Sequence, residues 1–258
     1  MKEKVSIIIC AYNEEETLES VVRKCREYNT ESEIIVVDDG STDKTEEILR
    51  ELNEEIEFNY IRLSENKGKS NAMVLGVENA KNELILFFDA DVTGIKKEHF
   101  DQLIKPVLDK EHEADMVLGS PSETLIDYRV NPFKSLTGER ALLKKDIEPI
   151  LEDIRDIRFG VETYINLYFQ AHGKKIKYTL LNGLTHPTKY DKTSPGKATK
   201  EFISEGQEIA ITLLKNYDLI TKTIGNSFEE KGEQIKESLK KLQNELNDKI
   251  QALLRNNG

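Results

Sequence analysis

A chain of 258 residues rich in strand-length apolar runs can bury a substantial core, as one large domain or two small ones. Its formal net charge of −11 argues against a generic nucleic-acid binder, which carries a basic face, and favours small-molecule partners. No stretch is long enough to span a bilayer, no cleavage pattern follows the first apolar run, and Cys10 and Cys25 lack disulfide or zinc spacing, so a reducing, cytoplasmic setting is expected.

Val5 to Cys10 reads as a buried strand, and the acidic run Asn13-Glu14-Glu15-Glu16 as the first turn of a helix reaching about Tyr28. Ile34 to Val37 is a second strand, ending in Asp38-Asp39-Gly40-Ser41. Asp43 can then cap a helix carrying Ile48, Leu49 and Leu52. Phe58 to Leu63 is a third strand, and Asn66-Lys67-Gly68-Lys69-Ser70 leads into a helix with Ala72, Met73, Leu75, Val77 and Ala80. The run Leu84 to Asp91 reads as a strand whose end carries two carboxylates, Asp89 and Asp91, on one side. A helix around Phe100 to Leu108 and a strand at Asp115 to Leu118 complete an alternation that requires a mainly parallel sheet with helices on both faces, placed at residues 1–120. Residues 121–198 form an acceptor-side part of the same catalytic domain, and 199–258 a helical extension. In that extension Ile209, Leu213, Leu214, Ile220 and Ile224 suggest one helix. Ile235, Leu239, Leu242, Leu246, Ile250 and Leu253 form the narrow seam of a second, which packs on the core or forms a homodimer.

Ligands of such sheets sit outside the carboxyl ends of the strands, so the polar segments after successive strands converge on one crevice. Ala11, Tyr12 and Glu14, then Asp39, then Lys67 and Lys69, then Asp89, Ala90 and Asp91 offer acceptors for a base and ribose, cations for a diphosphate and carboxylates for Mg²⁺ or Mn²⁺. Taken singly, each has a plainer reading: Asp38-Asp39 as a helix cap, the lysines as solvated loop residues, the Asp-x-Asp as a turn. A sugar nucleotidylyltransferase would share the architecture, but its glycine-rich signature does not follow the first strand.

The order Ala11-Tyr12-Asn13-Glu14, Val37-Asp38-Asp39-Gly40-Ser41-Thr42-Asp43, Asn66-Lys67-Gly68-Lys69 and Asp89-Ala90-Asp91 resembles the family-2 glycosyltransferases. The resemblance implies an α/β GT-A (Rossmann-like) fold and a UDP- or GDP-sugar donor. It places Ala11, Tyr12 and Glu14 near the base and ribose and pairs Asp39 with the base. Lys69 would lie near the diphosphate, Asp91 on the metal, and Asp89 beside the ribose and the metal's water shell. Thr137-Gly138-Glu139-Arg140-Ala141-Leu142 and Phe159-Gly160-Val161-Glu162-Thr163 are similar to acceptor-side segments of the polyprenyl-phosphate sugar synthases and the glucosyl-3-phosphoglycerate synthases. His186 resembles the late histidine that gives the latter a further metal ligand, and Lys189 stands beside it.

These relatives imply an anionic acceptor, a polyprenyl phosphate or a phosphoglycerate-like molecule, or else a small hydrophilic one. Glu139, Asp153, Asp156 and Glu162 are the candidates for a general base; the plainer reading is that they pair Arg140, Arg155 or Arg158. An already ionised acceptor phosphate, or a retaining front-face route, would need no base. Lys174, Lys175, Lys177, Lys189, Lys192 and Lys197 make this region basic, which suits an anionic acceptor, peripheral contact with the inner membrane surface, or a solvated face. The competing function is a catalytically silent assembly protein acting through its C-terminal helices.

Overall fold

The computed structural model describes residues 4–109, 113–121, 137–157 and 160–186, with Asn216, Asp218, Leu219 and Lys222 beyond them. In chain order these form β1 (Val5–Ala11), α1 (Leu18–Tyr28), β2 (Glu33–Asp38), α2 (Thr45–Glu55), β3 (Asn59–Arg62), α3 (Lys69–Asn79), β4 (Leu84–Phe87) and α4 (Lys97–Leu108). There follow β5 (Met116–Pro121), β6 (Arg140–Leu143), α5 (Lys144–Ile147), a 3₁₀ turn (Glu148–Ile150), α6 (Leu151–Ile154), α7 (Val161–Ala171) and β7 (Ile176–Leu181). The strands make one sheet in the order β3-β2-β1-β4-β6-β5-β7, in which β6 runs antiparallel to both neighbours and the other pairings are parallel.

The central strands β1, β2 and β4 are largely apolar along their length because both faces of the sheet are covered. Ile7, Ile9, Ile34, Val36, Leu84 and Leu86 face one core with Val21 and Val22 of α1, Leu49 of α2 and Phe100 of α4. The alternate residues Ile8, Ile35, Val37, Ile85 and Phe87 face the other, with Met73 and Val77 of α3 and Ile165 of α7. α3 comes so close to β1 that a Cβ on Gly76 would collide with the side chain of Ile8.

Three local expectations are corrected. The first helix begins at Leu18 rather than in the acidic run. Asn13 sits at φ 57°, its side-chain oxygen accepts from the Thr42 amide at 2.8 Å, and the Glu14 amide donates to Thr45 Oγ1 at 2.9 Å; the run is spent tying the exit of β1 to the loop before α2. β4 ends at Phe87, so Asp89 and Asp91 lie on the turn beyond it. The strand β6 was not expected, and it joins residues after 120 to the middle of the first-half sheet. Of the two expected C-terminal helices, only Asn216, Asp218, Leu219 and Lys222 of the first are described, and Leu219 packs against the second core; the other residues of those helices and the stretch carrying Lys189, Lys192 and Lys197 lie outside the described residues. No helix among the described residues is long and apolar enough to cross a membrane.

Candidate active site

The carboxyl ends of β1, β2 and β4 and the start of α3 enclose a cavity of about 380 Å³. Ala11, Tyr12, Glu14, Asp39, Lys69, Asp89, Ala90, Asp91 and His186 all line it, with Cys10, Asn66, Gly68 and Ala72. Tyr12 is 43% exposed, which leaves its ring open to a planar ligand at the mouth. The adjacent aspartates after β2 do different things. Asp38 is fully buried; it accepts from the Ser41 amide at 2.8 Å and lies 3.3 Å from Arg62 Nε, closing the β2 turn. Asp39 points the other way: its two oxygens accept from the Lys67 and Gly68 amides, each at 2.8 Å, and so hold the loop that delivers Lys69.

Lys69 opens α3, and its ammonium lies 2.9 Å from both Asp89 Oδ1 and Glu162 Oε1. Burial alone would lower the lysine pKa, but the charges of Asp89 and Glu162 outweigh it and hold the group well above its ordinary range. Glu162 is held low: burial, which would raise it, is outweighed by Lys69 and Arg140. Asp89 is pushed up, first by burial and against the pull of Lys69. A Cβ on Gly138 would strike both oxygens of Asp89, so this glycine leaves the space in which the carboxylate sits.

His186, 95 positions after Asp91, reaches it through a short bridge between Thr93 and Thr185, whose amides and carbonyls pair at 2.9 and 3.1 Å. The bridge is tight enough that a Cβ on Gly94, at φ 71°, would collide with the Gly183 carbonyl. His186 Nδ1 then lies 3.3 Å from Asp91 Oδ1, and Nε2 lies 3.3 Å from Oε1 of the fully buried Glu139. Burial would lower this histidine's pKa; the charge of Glu139 and the contacts with Asp91 and Glu139 raise it to about 11. One ligand atom from each of Asp89, Asp91 and His186 lies within 4.8 Å of the other two. Two carboxylates and an imidazole suit Mn²⁺ or Mg²⁺, so the residues present fit a divalent ion.

Of the other anticipated residues, Lys67 contributes its backbone amide, and Lys189 lies outside the described residues. Asp153 and Asp156 are exposed, and Asp153 accepts from the Tyr164 hydroxyl at 3.3 Å; neither lines the cavity. Arg155 pairs with Glu78 and Glu152, and Arg140 is wholly buried, its Nη2 donating to the Thr137 carbonyl at 2.6 Å. Lys174 pairs with Asp146 and Asp115, and Lys177 with Glu113, so these members of the basic stretch are neutralised locally. Cys10 was not anticipated in the cavity; burial, opposed by Lys69, pushes its thiol up to about 12. Only its place next to Ala11 could have signalled it.

The sheet order, the crevice at the strand ends and the Asp89-Ala90-Asp91 turn after β4 match the GT-A arrangement that the family resemblance implies. The chain belongs to glycosyl transferase family 2, whose family model matches residues 6–165. It is 34% identical over 90 residues to poly-beta-1,6-N-acetyl-D-glucosamine synthase of Staphylococcus aureus (strain COL), and 37% identical over 91 residues to that of Staphylococcus epidermidis. Each match covers 34% of this chain and 22% of the relative, so the matched stretch spans about a fifth of the length of these curated relatives. Among solved structures, glucosyl-3-phosphoglycerate synthase from Mycobacterium tuberculosis in complex with Mn²⁺, UDP and phosphoglyceric acid superposes with a TM-score of 0.64 at 20% identity, covering 83% of this chain and 78% of that one. The same enzyme with Mg²⁺ and UDP superposes with a TM-score of 0.63 at 19% identity, over 83% of this chain and 79% of the other, a likeness of fold.

Proposed function

We propose that this chain transfers a sugar from a uridine-diphosphate sugar to a phosphate-bearing acceptor, with Mn²⁺ or Mg²⁺ held by Asp89, Asp91 and His186. The observation that carries this reading is the meeting of Tyr12, Asp39, Lys69, Asp91 and His186 around one cavity. The solved neighbours support the donor and the acceptor class, since their bound molecules include UDP, UDP-glucose, phosphoglyceric acid and glycerol 3-phosphate. A GDP-sugar is the competing donor.

Tyr12 and Asp39 bind and orient the base, and Lys69 carries its charge toward the diphosphate. When bound, the divalent ion neutralises charge that grows on the departing diphosphate. Lys69 complements that charge only if its pairing with Asp89 and Glu162 keeps it protonated, which the raised pKa supports. Glu162, ionised and salt-bridged to the cavity residue Lys69, is the candidate base kept for an acceptor hydroxyl, although it does not itself line the cavity.

The test is a matrix of UDP-glucose, UDP-N-acetylglucosamine and GDP-mannose against 3-phosphoglycerate, glycerol 3-phosphate and a polyprenyl phosphate, with Mn²⁺ or chelator, reading nucleotide release and glycosylated product. Metal-dependent product from a UDP-sugar and a phosphate acceptor, lost in Asp91→Asn, supports the reading. Product from GDP-mannose alone would replace the donor. A folded protein that turns over no pair and binds no nucleotide would move the silent assembly role ahead.

A further inference from the structure

Glu139 is fully buried, and both ends of its carboxylate face protein groups. Oε2 lies 2.6 Å from the Thr137 hydroxyl, which also contacts the Gly119 carbonyl; Oε1 lies 3.3 Å from His186 Nε2. Its backbone is fixed as well, since the Glu139 carbonyl accepts from the Gly119 amide at 2.9 Å and Arg140 grips the Thr137 carbonyl. A carboxylate so enclosed is poorly placed to take a proton from an acceptor hydroxyl. It is well placed to act on the histidine.

The imidazole of His186 is held between Glu139 on Nε2 and Asp91 on Nδ1. A neutral imidazole has one N–H and one lone pair, so the nitrogen facing an acceptor keeps the proton and the other is freed as a ligand. Nδ1 meets Asp91 at the same 3.3 Å, so the two contacts alone do not choose between the forms; with a cation on Asp91 and Nδ1, Glu139 Oε1, which has no hydrogen-bond partner among the described residues, would be the acceptor left for a proton on Nε2 and would make the Nδ1 lone pair more basic. We infer that Glu139 is a positioning residue, anchored by Thr137, that fixes the ring and tautomer of His186 and so sets the affinity of the Asp89–Asp91–His186 cluster for a divalent cation. The inference rests on the metal reading of that cluster, and it assigns Glu139 a task other than general base.

The experiment titrates Mn²⁺ alone into wild type, Glu139→Gln, Glu139→Ala, His186→Gln and the double variant Glu139→Gln/His186→Gln, following free Mn²⁺ by electron paramagnetic resonance. Each variant's fold is checked by its thermal melt. Loss of a partner behind a metal-binding histidine typically costs 10–100-fold in metal affinity, so Glu139→Gln should weaken binding by roughly tenfold and Glu139→Ala by more. In the His186→Gln background Glu139→Gln should add nothing, a coupling that a general packing role would not produce. Nitrogen-15 spectra of the Mg²⁺-loaded protein should show His186 protonated on Nε2. Should Glu139→Ala fail to fold, Thr137→Val, which removes only the anchoring hydroxyl, should also weaken Mn²⁺ binding.

Unchanged Mn²⁺ affinity in the Glu139 variants, or losses that add independently to that of His186→Gln, would overturn the inference. If those variants bind normally while Asp91→Asn and His186→Gln do not, only the inference falls. If wild type binds no Mn²⁺, the metal reading falls with it.

Discussion

Lys69 Nζ stands 2.9 Å from Asp89 Oδ1, a contact between the first residue of α3 and the turn after β4. The same ammonium reaches Glu162, so one cation compensates two largely buried carboxylates. Lys69→Met leaves both without it. Because the lysine side chain is 36% exposed, the full cost of orphaning buried charge is discounted, and a loss of about 1–3 kcal/mol is expected in urea unfolding. An unchanged midpoint would mean that solvent already screens the pair.

Gly138 makes room for the Asp89 carboxylate. Gly138→Ala should push that carboxylate aside and weaken Mn²⁺ binding by roughly tenfold or more, because a ligand set is sensitive to small displacements. Stability should also fall, by about 1–3 kcal/mol, because the displaced carboxylate is drawn away from Lys69. Calorimetric titration with Mn²⁺ checks the first, and a melt the second; full Mn²⁺ affinity would contradict this account of the glycine.

At Gly76 the consequence is structural. A leucine side chain there would be driven into Ile8 and pry α3 off β1, with an overpacking cost of about 1–3 kcal/mol. Chemical unfolding of Gly76→Leu should show that loss, and a variant as stable as wild type would mean that α3 shifts freely.

The sign of the pH effect at His186 follows from its environment. Burial lowers its pKa, Glu139 and Asp91 more than restore it, and the folded value is about 11 against 6.5 for a free imidazole. The folded state thus holds a proton that the unfolded state gives up between those values. Its contribution is complete below about pH 6.5 and is lost as pH rises through about 11. Without metal, wild type should lose more thermal stability than His186→Gln between about pH 7 and pH 10. Equal slopes would remove the histidine from the account. Since a ligating imidazole must be neutral, Mn²⁺ binding near pH 7.5 should release a proton and tighten as pH rises.

The buried strands were legible because Ile7 to Ile9, Ile34 to Val37 and Leu84 to Phe88 are continuous apolar runs with helical segments between them. β6 was hidden for a physical reason: Arg140 to Leu143 is four residues long, begins with an arginine buried by long-range packing, and passes directly into α5. The acidic run after β1 carries the composition of a helix start, yet Asn13 meets Thr42 only once β1 and β2 are paired. Within the site, the spacing of Asp89 and Asp91 announced a metal pair. The nearness of His186 depends on the Thr93–Thr185 bridge, which no local pattern encodes, and it was anticipated only through family resemblance. The hold of Asp39 on the Lys67 and Gly68 amides is likewise a product of tertiary approach.

UDP binding measured by calorimetry, with Mn²⁺ and with chelator, on wild type and Asp91→Asn, tests the central claim most directly. Wild type should bind UDP only with Mn²⁺ present, and Asp91→Asn should lose that binding while its fold persists. UDP binding of equal strength with chelator, or undiminished in Asp91→Asn, would contradict a donor site organised around a metal on Asp91.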